Sequence, residues 1–241
     1  MYFPIGDIHG CYDMLRPLYD KILAEIMGGI DPSYGATIVF LGDYIDRNKG
    51  SDKVLDFVMG LEDGMIGDVP LKHVMLRGNH EALMINTRRD PTNWMGEAVW
   101  LNNGGDITLA DFGVTLEEFK RGALDNYVVW MEKLPIIAQD DDYVFVHAGV
   151  HEGVPLDKQL EEYCLWDQSR DPAVYKNLNK VIVHGHMIQK NGPLVDLPNN
   201  RIWMDVGTGI FNRLCALCLP EPYDYGYGGN RIYKVLEVKR Y

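Results

Sequence analysis

Long apolar runs are what this 241-residue chain most plainly lacks. No stretch reaches the ~18 consecutive apolar residues of a membrane-spanning helix, so no membrane is expected as a partner. An excess of basic residues is missing too. Lys and Arg number 23 against 35 Asp and Glu, a formal charge of −12. Proteins that gather nucleic acid by its phosphates need the opposite balance, so nucleic acid is not an expected partner. Four cysteines are too few for a disulfide framework. Cys215 and Cys218 form a Cys-x-x-Cys inside the strand-like "RLCALCLP", where they point to opposite faces, and no second pair completes a zinc site. Cys11 and Cys164 read as small buried apolar residues. The first ten residues lack the basic region and apolar core of an export signal, which with the cysteine usage places the expected setting in the cytoplasm. No repeat, low-complexity tract or long linker interrupts the chain, so residues 1–241 are expected to form a single domain.

What is present is ample core material, 46% hydrophobic and 11% aromatic. "YFPI" (2–5), "ATIVFL" (36–41), "HVML" (73–76), "YVFVHAG" (143–149), "KVIVHGH" (180–186), "RIWMDVGTG" (201–209), "RLCALCL" (213–219) and "RIYKVLEVKR" (231–240) read as strands or strand ends. Leu15, Leu18, Ile22 and Ile26 recur at helical spacing over 12–26, and Gly28 and Gly29 stop that helix. A second helix is predicted over 51–61 with Ser51 as its N-cap, a third from "GNHE" through Arg89, and mostly helix over 94–134, broken at "NNGGDI". Helical crossovers come first and consecutive strands later. That order predicts an α/β (α+β) sandwich, two mixed β-sheets flanked by helices.

Five apolar runs end in metal-binding side-chain types: Asp7 and His9, Asp43, Asn79 and His80, His147, and His184 with His186. Ligand sites in open α/β sheets gather at the carboxyl ends of strands. Asp7 and His9, two apart on an extended segment, would point the same way and grip one ion. One member of the His184/His186 pair would join His147. Five of the seven histidines fall at these positions. Carboxylate, imidazole and amide donors without thiolate suit manganese, iron or zinc. Three carboxylates, counting Asp46, and four imidazoles exceed what one ion takes. That number points to two divalent metal ions about 3.5–4 Å apart, bridged by Asp43.

"GDIHG", "GDYIDRN", "GNHE", "HAG" and "HGH", in this order, resemble the motifs of the calcineurin-like metallophosphoesterases. The resemblance spans residues 5 to about 209 and is nearest the phosphoprotein-phosphatase branch, including the bacterial and phage serine/threonine phosphatases. It implies the metallophosphoesterase fold, a β-sandwich flanked by helices. It also implies Asp7 and His9 on the first ion, Asp43 on both, and Asn79, His147 and His186 on the second. Mn²⁺ is the expected metal, with Fe or Zn²⁺ as alternatives. Arg47 would bind phosphate oxygens, with Asn79 lining the same substrate site. His80, oriented by Asp46, would protonate the leaving group while a metal-bridging hydroxide attacks phosphorus. His184 is left between a supporting role and plain packing, His151 is expected near the mouth of the site, and His73 is expected to start a strand. Asn48 stands where the family usually has Gly, and its tolerance of left-handed angles makes that a mild departure. A second phosphate-binding arginine is expected after Trp166. Arg170 is the candidate, two residues beyond the position where the phage enzyme has it, which is Gln168 here.

The expected activity is a metal-dependent serine/threonine protein phosphatase, a phosphomonoester hydrolase. Its substrate would be a phosphorylated protein or a small phosphoester. The alternatives are a symmetrical diadenosine tetraphosphate hydrolase, a broad-specificity phosphomonoesterase and, more remotely, a non-catalytic metal-stabilised scaffold. Two features favour the protein phosphatase. Glu81 ends the third motif where dinucleotide hydrolases tend to Asp, although its first expected role is to stabilise the start of the following helix, where a carboxylate is favoured, and "WLNNGGDITLADFG" (100–113) is similar to the bacterial protein-phosphatase type. Gly78 is expected to let the chain turn toward the metals.

Overall fold

A computed structural model describes residues 1–219 and 233–240. In chain order its strands are β1 (Tyr2–Ile5), β2 (Ala36–Phe40), β3 (Gly64–Ile66), β4 (Val69–Met75), β5 (Ile137–Gln139), β6 (Tyr143–Val146), β7 (Val181–His184), β8 (Leu194–Asp196), β9 (Arg201–Trp203), β10 (Arg213–Cys218) and β11 (Lys234–Lys239). The helices are α1 (Tyr12–Met27), α2 (Ser51–Met59), α3 (Asn79–Arg89), α4 (Trp94–Trp100), α5 (Asp106–Asp111), α6 (Leu116–Lys120), α7 (Asp125–Glu132), α8 (Glu161–Trp166) and α9 (Thr208–Phe211). The strands form two mixed sheets, ordered β11-β10-β1-β2-β4-β3 and β5-β6-β7-β9-β8. The centre of each sheet is parallel: β1, β2 and β4 in one, β6, β7 and β9 in the other. Parallel pairing puts six carboxyl ends in two rows, and the site grows from both.

The two-residue period of a strand explains the layers. On β2, Ile38 and Phe40 enter the core beneath the helices, whereas Val39 enters the core between the sheets, where Leu41 and Leu76 also pack. On β6, Tyr143 and Phe145 face the same inter-sheet core, and Val144 and Val146 face a third cluster with Tyr175 and Cys164. Strands apolar on both faces are what a sheet covered on both sides requires. Cys215 and Cys218 are buried in this packing, and burial pushes both thiols up to about 12, which keeps them protonated and inert.

Several local expectations change. The third strand begins at Val69, not His73, because Gly64–Ile66 folds back on Val69–Leu71 as a hairpin that the short "GMI" did not announce. His73 lies inside that strand and hydrogen-bonds Tyr19 Oη at 2.9 Å. Strands β5 and β8, three residues each, went unread for the same reason of length. Ser51 is the first residue of α2 rather than its cap. Asp111 Oδ2 accepts the Gly50 and Ser51 N–H groups instead, at 2.8 and 2.9 Å. The strand expected over 231–240 is seen from Lys234, and Arg231 and Ile232 lie outside the described residues.

Candidate metal centre and active site

The strand ends deliver their polar residues to one place. Asp43 lies within 3.5 Å of His9 Nε2 and of His147 Nε2, and 3.9 Å from His80 Nε2. Two trios with metal-ligand spacing result: His9, Asp43 and His80, and Asp43, His147 and His186. Asp43 belongs to both, as a bridging carboxylate must. Asn79 Oδ1 joins the second trio, 2.8 Å from His147 Nε2 and 3.1 Å from His186 Nδ1.

The histidines are aimed by the backbone. His9 Nδ1 pairs with the Ile45 carbonyl and His147 Nδ1 with the Leu41 carbonyl, each at 2.9 Å. Their Nε2 lone pairs are thereby turned inward, the usual support for a metal-binding imidazole. His9 Nε2 is buried and has no hydrogen-bond partner, an orphaned acceptor that a cation would satisfy. Burial also holds these rings neutral, the form that ligates: His9 is lowered to about 3, His186 to about 4, and His147 below its ordinary value. Asp43 stays ionised. Burial alone would raise its pKa, but His147, His80 and His9 around it prevail and lower it. The residues present therefore fit divalent cations.

Backbone strain marks the same residues. Among the described residues, eight non-glycine positions have positive φ: His9, Asp43, Asp46, Arg47, Leu124, His186, Asn200 and Asn212. The first four and His186 belong to the site. Each costs about 1–2 kcal/mol relative to ordinary angles, a cost tolerated where geometry is functional. His9 at φ 47° is not extended, so the two-residue alternation of a strand does not govern how Asp7 and His9 are placed relative to each other. Asp7 falls in neither trio. Its carboxylate accepts the His186 N–H at 3.2 Å and hydrogen-bonds Asp205. Asn48 has no positive φ, and the strain falls on Asp46 and Arg47 instead.

Asp205, after β9, stands at a sixth strand end and was missed, although "WMDVG" repeats the pattern of an apolar run closed by a metal-binding type. It is 2% exposed. Burial pushes it to about 6, and burial with the Asp205 and Asp43 charges pushes Asp7 well up. With three carboxyl groups crowded here, Asp7 and Asp205 resist ionising unless a cation offsets the charge.

His80 is completely buried. Its Nδ1 meets Asp46 Oδ2 at 2.7 Å and its Nε2 meets Arg47 Nη2 at 3.0 Å. Burial opposes its protonation, but Asp43 and Asp46 outweigh burial and raise its pKa. Asp46 is itself held by Thr108 Oγ1 at 2.6 Å and by Trp100 Nε1 at 3.2–3.3 Å. Thr108 and Trp100 are 62 and 54 residues away in sequence. The 100–113 segment therefore supports Asp46. At its break, Gly104 has φ 106°, and a Cβ there would sit 2.3 Å from Arg47 N, so only glycine seats the Arg47 loop.

Glu81 makes no approach to solvent. It accepts three backbone N–H groups, from Asp43 (2.8 Å), Tyr44 (2.8 Å) and Gly78 (2.9 Å). It ties the ends of β2 and β4 together and, from the first turn of α3, takes up the free Gly78 N–H at the start of that helix. Gly78 has ordinary extended angles, φ −96° and ψ 177°. Its glycine is demanded by space, since a Cβ would lie 2.2 Å from Asp43 Oδ1.

His184 is separate from the metal cluster. Its Nε2 accepts Arg201 Nε at 2.8 Å. Arg201 is fully buried and also donates to the carbonyls of Asp171 (3.2 Å) and Ser169 (2.9 Å), with its guanidinium over the Tyr175 and Trp203 rings. It thus pins the segment that carries Arg170. His151 is exposed and packs on Tyr163.

A cavity of about 560 Å³ opens beside the trios. Asp7, Asp43 and His186 form one wall, and Arg47, Gln168, Arg170 and Lys190 bring polar and cationic groups to it. Ile210 and Phe211, 61% and 39% exposed, stand at its edge. Among the described residues no helix is long and apolar enough to cross a membrane.

The family described as calcineurin-like phosphoesterase matches residues 5–206. The bis(5'-nucleosyl)-tetraphosphatase PrpE [asymmetrical] of Bacillus subtilis (strain 168) is 26% identical over 238 residues, covering 91% of each chain. A solved structure described as a putative diadenosine tetraphosphatase superposes with a TM-score of 0.61 at 18% identity, covering 100% of this chain and 93% of that one. A cold-active protein tyrosine phosphatase superposes at 0.62 with 20% identity, covering 89% of this chain and 75% of that one. Both structures share the sandwich of two mixed sheets flanked by helices.

Proposed function

As the chain belongs to the calcineurin-like phosphoesterase family, we propose that it hydrolyses a dinucleoside polyphosphate with two divalent metal ions, Mn²⁺ first among them. The observation that carries this reading is the cavity wall. In a chain of charge −12, Arg47, Arg170 and Lys190 surround one space beside the metal trios, with Ile210 and Phe211 at its edge. One phosphate needs no such spread of cations, whereas a polyphosphate with apolar nucleoside ends uses all of it. The B. subtilis relative, matched over nine-tenths of both chains, supports the same substrate class. The residue-level arguments for a protein phosphatase weaken correspondingly, because Glu81 is buried in backbone hydrogen bonds and the 100–113 segment serves Asp46.

In this reading Asp7, His9 and Asp43 hold one ion, and Asp43, Asn79, His147 and His186 hold the other. Bound there, the ions would acidify a water molecule and offset phosphate charge. Arg47 and Arg170 grip the equatorial oxygens of the phosphate under attack. Arg47 leaves His80 Nε2 to do so, which frees that nitrogen to give a proton to the departing oxygen while Asp46 keeps hold of Nδ1. Asp205 steadies Asp7.

The test is turnover with Mn²⁺ on diadenosine tetraphosphate, a phosphoserine peptide and a phosphotyrosine peptide. Diadenosine tetraphosphate should give the highest kcat/KM. A phosphopeptide preferred over it would return the chain to the protein-phosphatase reading.

A further inference from the structure

A second, smaller cavity of about 280 Å³ adjoins the first and shares Arg170, Met187 and Ile188 with it. Its remaining wall comes from the open edge of the second sheet. There β8 is the outermost strand, and Leu194 lies directly across from Trp203 of β9. The polar members are Gln189 and Asp196.

This slot is the uncovered part of an otherwise covered sheet face. Arg201, on β9 two residues before Trp203, lies beneath the 169–171 segment, which covers that end of the face. Toward Leu194 the cover stops, and Leu194 is left 45% exposed. The slot is prepared rather than incidental. Trp203 is 5% exposed, and the guanidinium of Arg201 rests over its ring at 4.3 Å, which fixes the ring at the floor. Asp196 Oδ2 accepts Asn199 Nδ2 at 2.8 Å, which orients that carboxylate.

A ligand that fills both cavities must carry an anion at Arg170 and a flat apolar group with polar edges beside it. We propose that this slot is a nucleobase subsite, taking the base of the nucleoside that bears the reacting phosphate. The base lies against Met187, Ile188, Leu194 and Trp203. Asp196 accepts a hydrogen bond from an exocyclic amine, and Gln189 offers its amide. Because the slot and the catalytic cavity share Arg170, the base and the phosphate that Arg170 grips belong to the same nucleotide. The subsite deepens, and rests on, the nucleotide reading proposed above.

The experiment is titration calorimetry on the Mn²⁺-loaded protein with AMP, ribose 5-phosphate and inorganic phosphate. AMP should bind roughly tenfold tighter than ribose 5-phosphate, the scale of one stacked base. Leu194→Asp, at a half-exposed edge position, should abolish that difference and leave ribose 5-phosphate unchanged. Met187→Ala should narrow it. Equal binding of AMP and ribose 5-phosphate to the wild type overturns the subsite, and so does a difference that survives in Leu194→Asp. A phosphoserine peptide weakened by Leu194→Asp while AMP is not would give the slot to a peptide side chain and overturn the nucleobase. If diadenosine tetraphosphate is not hydrolysed but AMP keeps its Leu194-dependent advantage, the subsite stands and the substrate proposal falls.

Discussion

Glu81→Gln removes one charge and almost no volume, so it isolates what this carboxylate does. Its Oε2 accepts the Asp43 and Gly78 N–H groups, and its Oε1 accepts that of Tyr44. A glutamine can keep its oxygen toward the first two. Its NH₂ then faces the Tyr44 N–H, donor against donor. One charge-assisted hydrogen bond is lost and one buried N–H is left unpaired, a cost of about 2–4 kcal/mol. For a chain of this size that lowers the melting temperature by about 4–16 °C. Asp43 hangs from the same anchor, so Mn²⁺ affinity should weaken as well. Glu81→Asp, which cannot reach all three donors, should also lower the melting temperature. It should leave the ratio of turnover on diadenosine tetraphosphate to that on a phosphoserine peptide unchanged. The measurements are thermal unfolding by circular dichroism and paired steady-state assays. A Glu81→Asp protein of wild-type stability whose substrate ratio has shifted would refute this account and restore Glu81 as a reader of substrate.

Thorough chelation should abolish p-nitrophenyl phosphate hydrolysis and Mn²⁺ should restore it, with two ions per chain by calorimetry. Activity that survives chelation would defeat the metal assignment. His80→Ala should cost about 10²–10⁴-fold on an alkyl phosphate, the usual worth of general-acid catalysis, and much less on p-nitrophenyl phosphate, whose leaving group needs no proton. Equal losses on the two substrates would contradict the role. Arg201→Lys keeps a charge but not the fork that holds Ser169, Asp171 and His184. It should raise KM roughly tenfold, about 1.4 kcal/mol, with less effect on kcat. Combined with Arg170→Ala it should add little to either variant alone, and full additivity would show that the two act separately. His184 is held neutral by burial and by Arg201, its pKa well below the ordinary value. The unfolded chain binds a proton near pH 6.5 that the folded chain refuses, so this stability is complete above that pH and lost as pH falls below it. Urea midpoints at pH 7.5 and 5.5 should show the loss, up to ~1.4 kcal/mol per pH unit from one proton. His184→Gln should lessen the pH dependence.

Much of the site was legible because its information is local. "GDIHG", "GDYIDRN", "GNHE", "HAG" and "HGH" each record a strand end and the donors placed on it. The parallel centre of each sheet then brings all such ends together, whatever the loops between do. The near-continuous apolar runs "ATIVF" and "YVFV" likewise announced buried strands, and the 3.6-residue spacing announced α1. Residue types and periodicities by themselves determined the sandwich, the donor types gathered at the strand ends and Asp43 as the carboxylate common to both trios.

Tertiary structure alone decided how those donors are aimed and supported. His9 and His147 turn Nε2 inward because carbonyls of Ile45 and Leu41, 36 and 106 residues away, take Nδ1. Asp46 is fixed by Trp100 and Thr108 across a glycine break whose purpose appears only when Gly104 meets Arg47. Arg201 carries no signal in "RIWMDVGTG" beyond opening a strand, and packing made it the buried pin between His184 and the Arg170 segment. Glu81, expected at the start of α3, also clamps the ends of β2 and β4 for the same reason. A hydrogen bond depends on where two backbone segments lie in space. Segments far apart in sequence leave no periodicity or motif to record that they will meet.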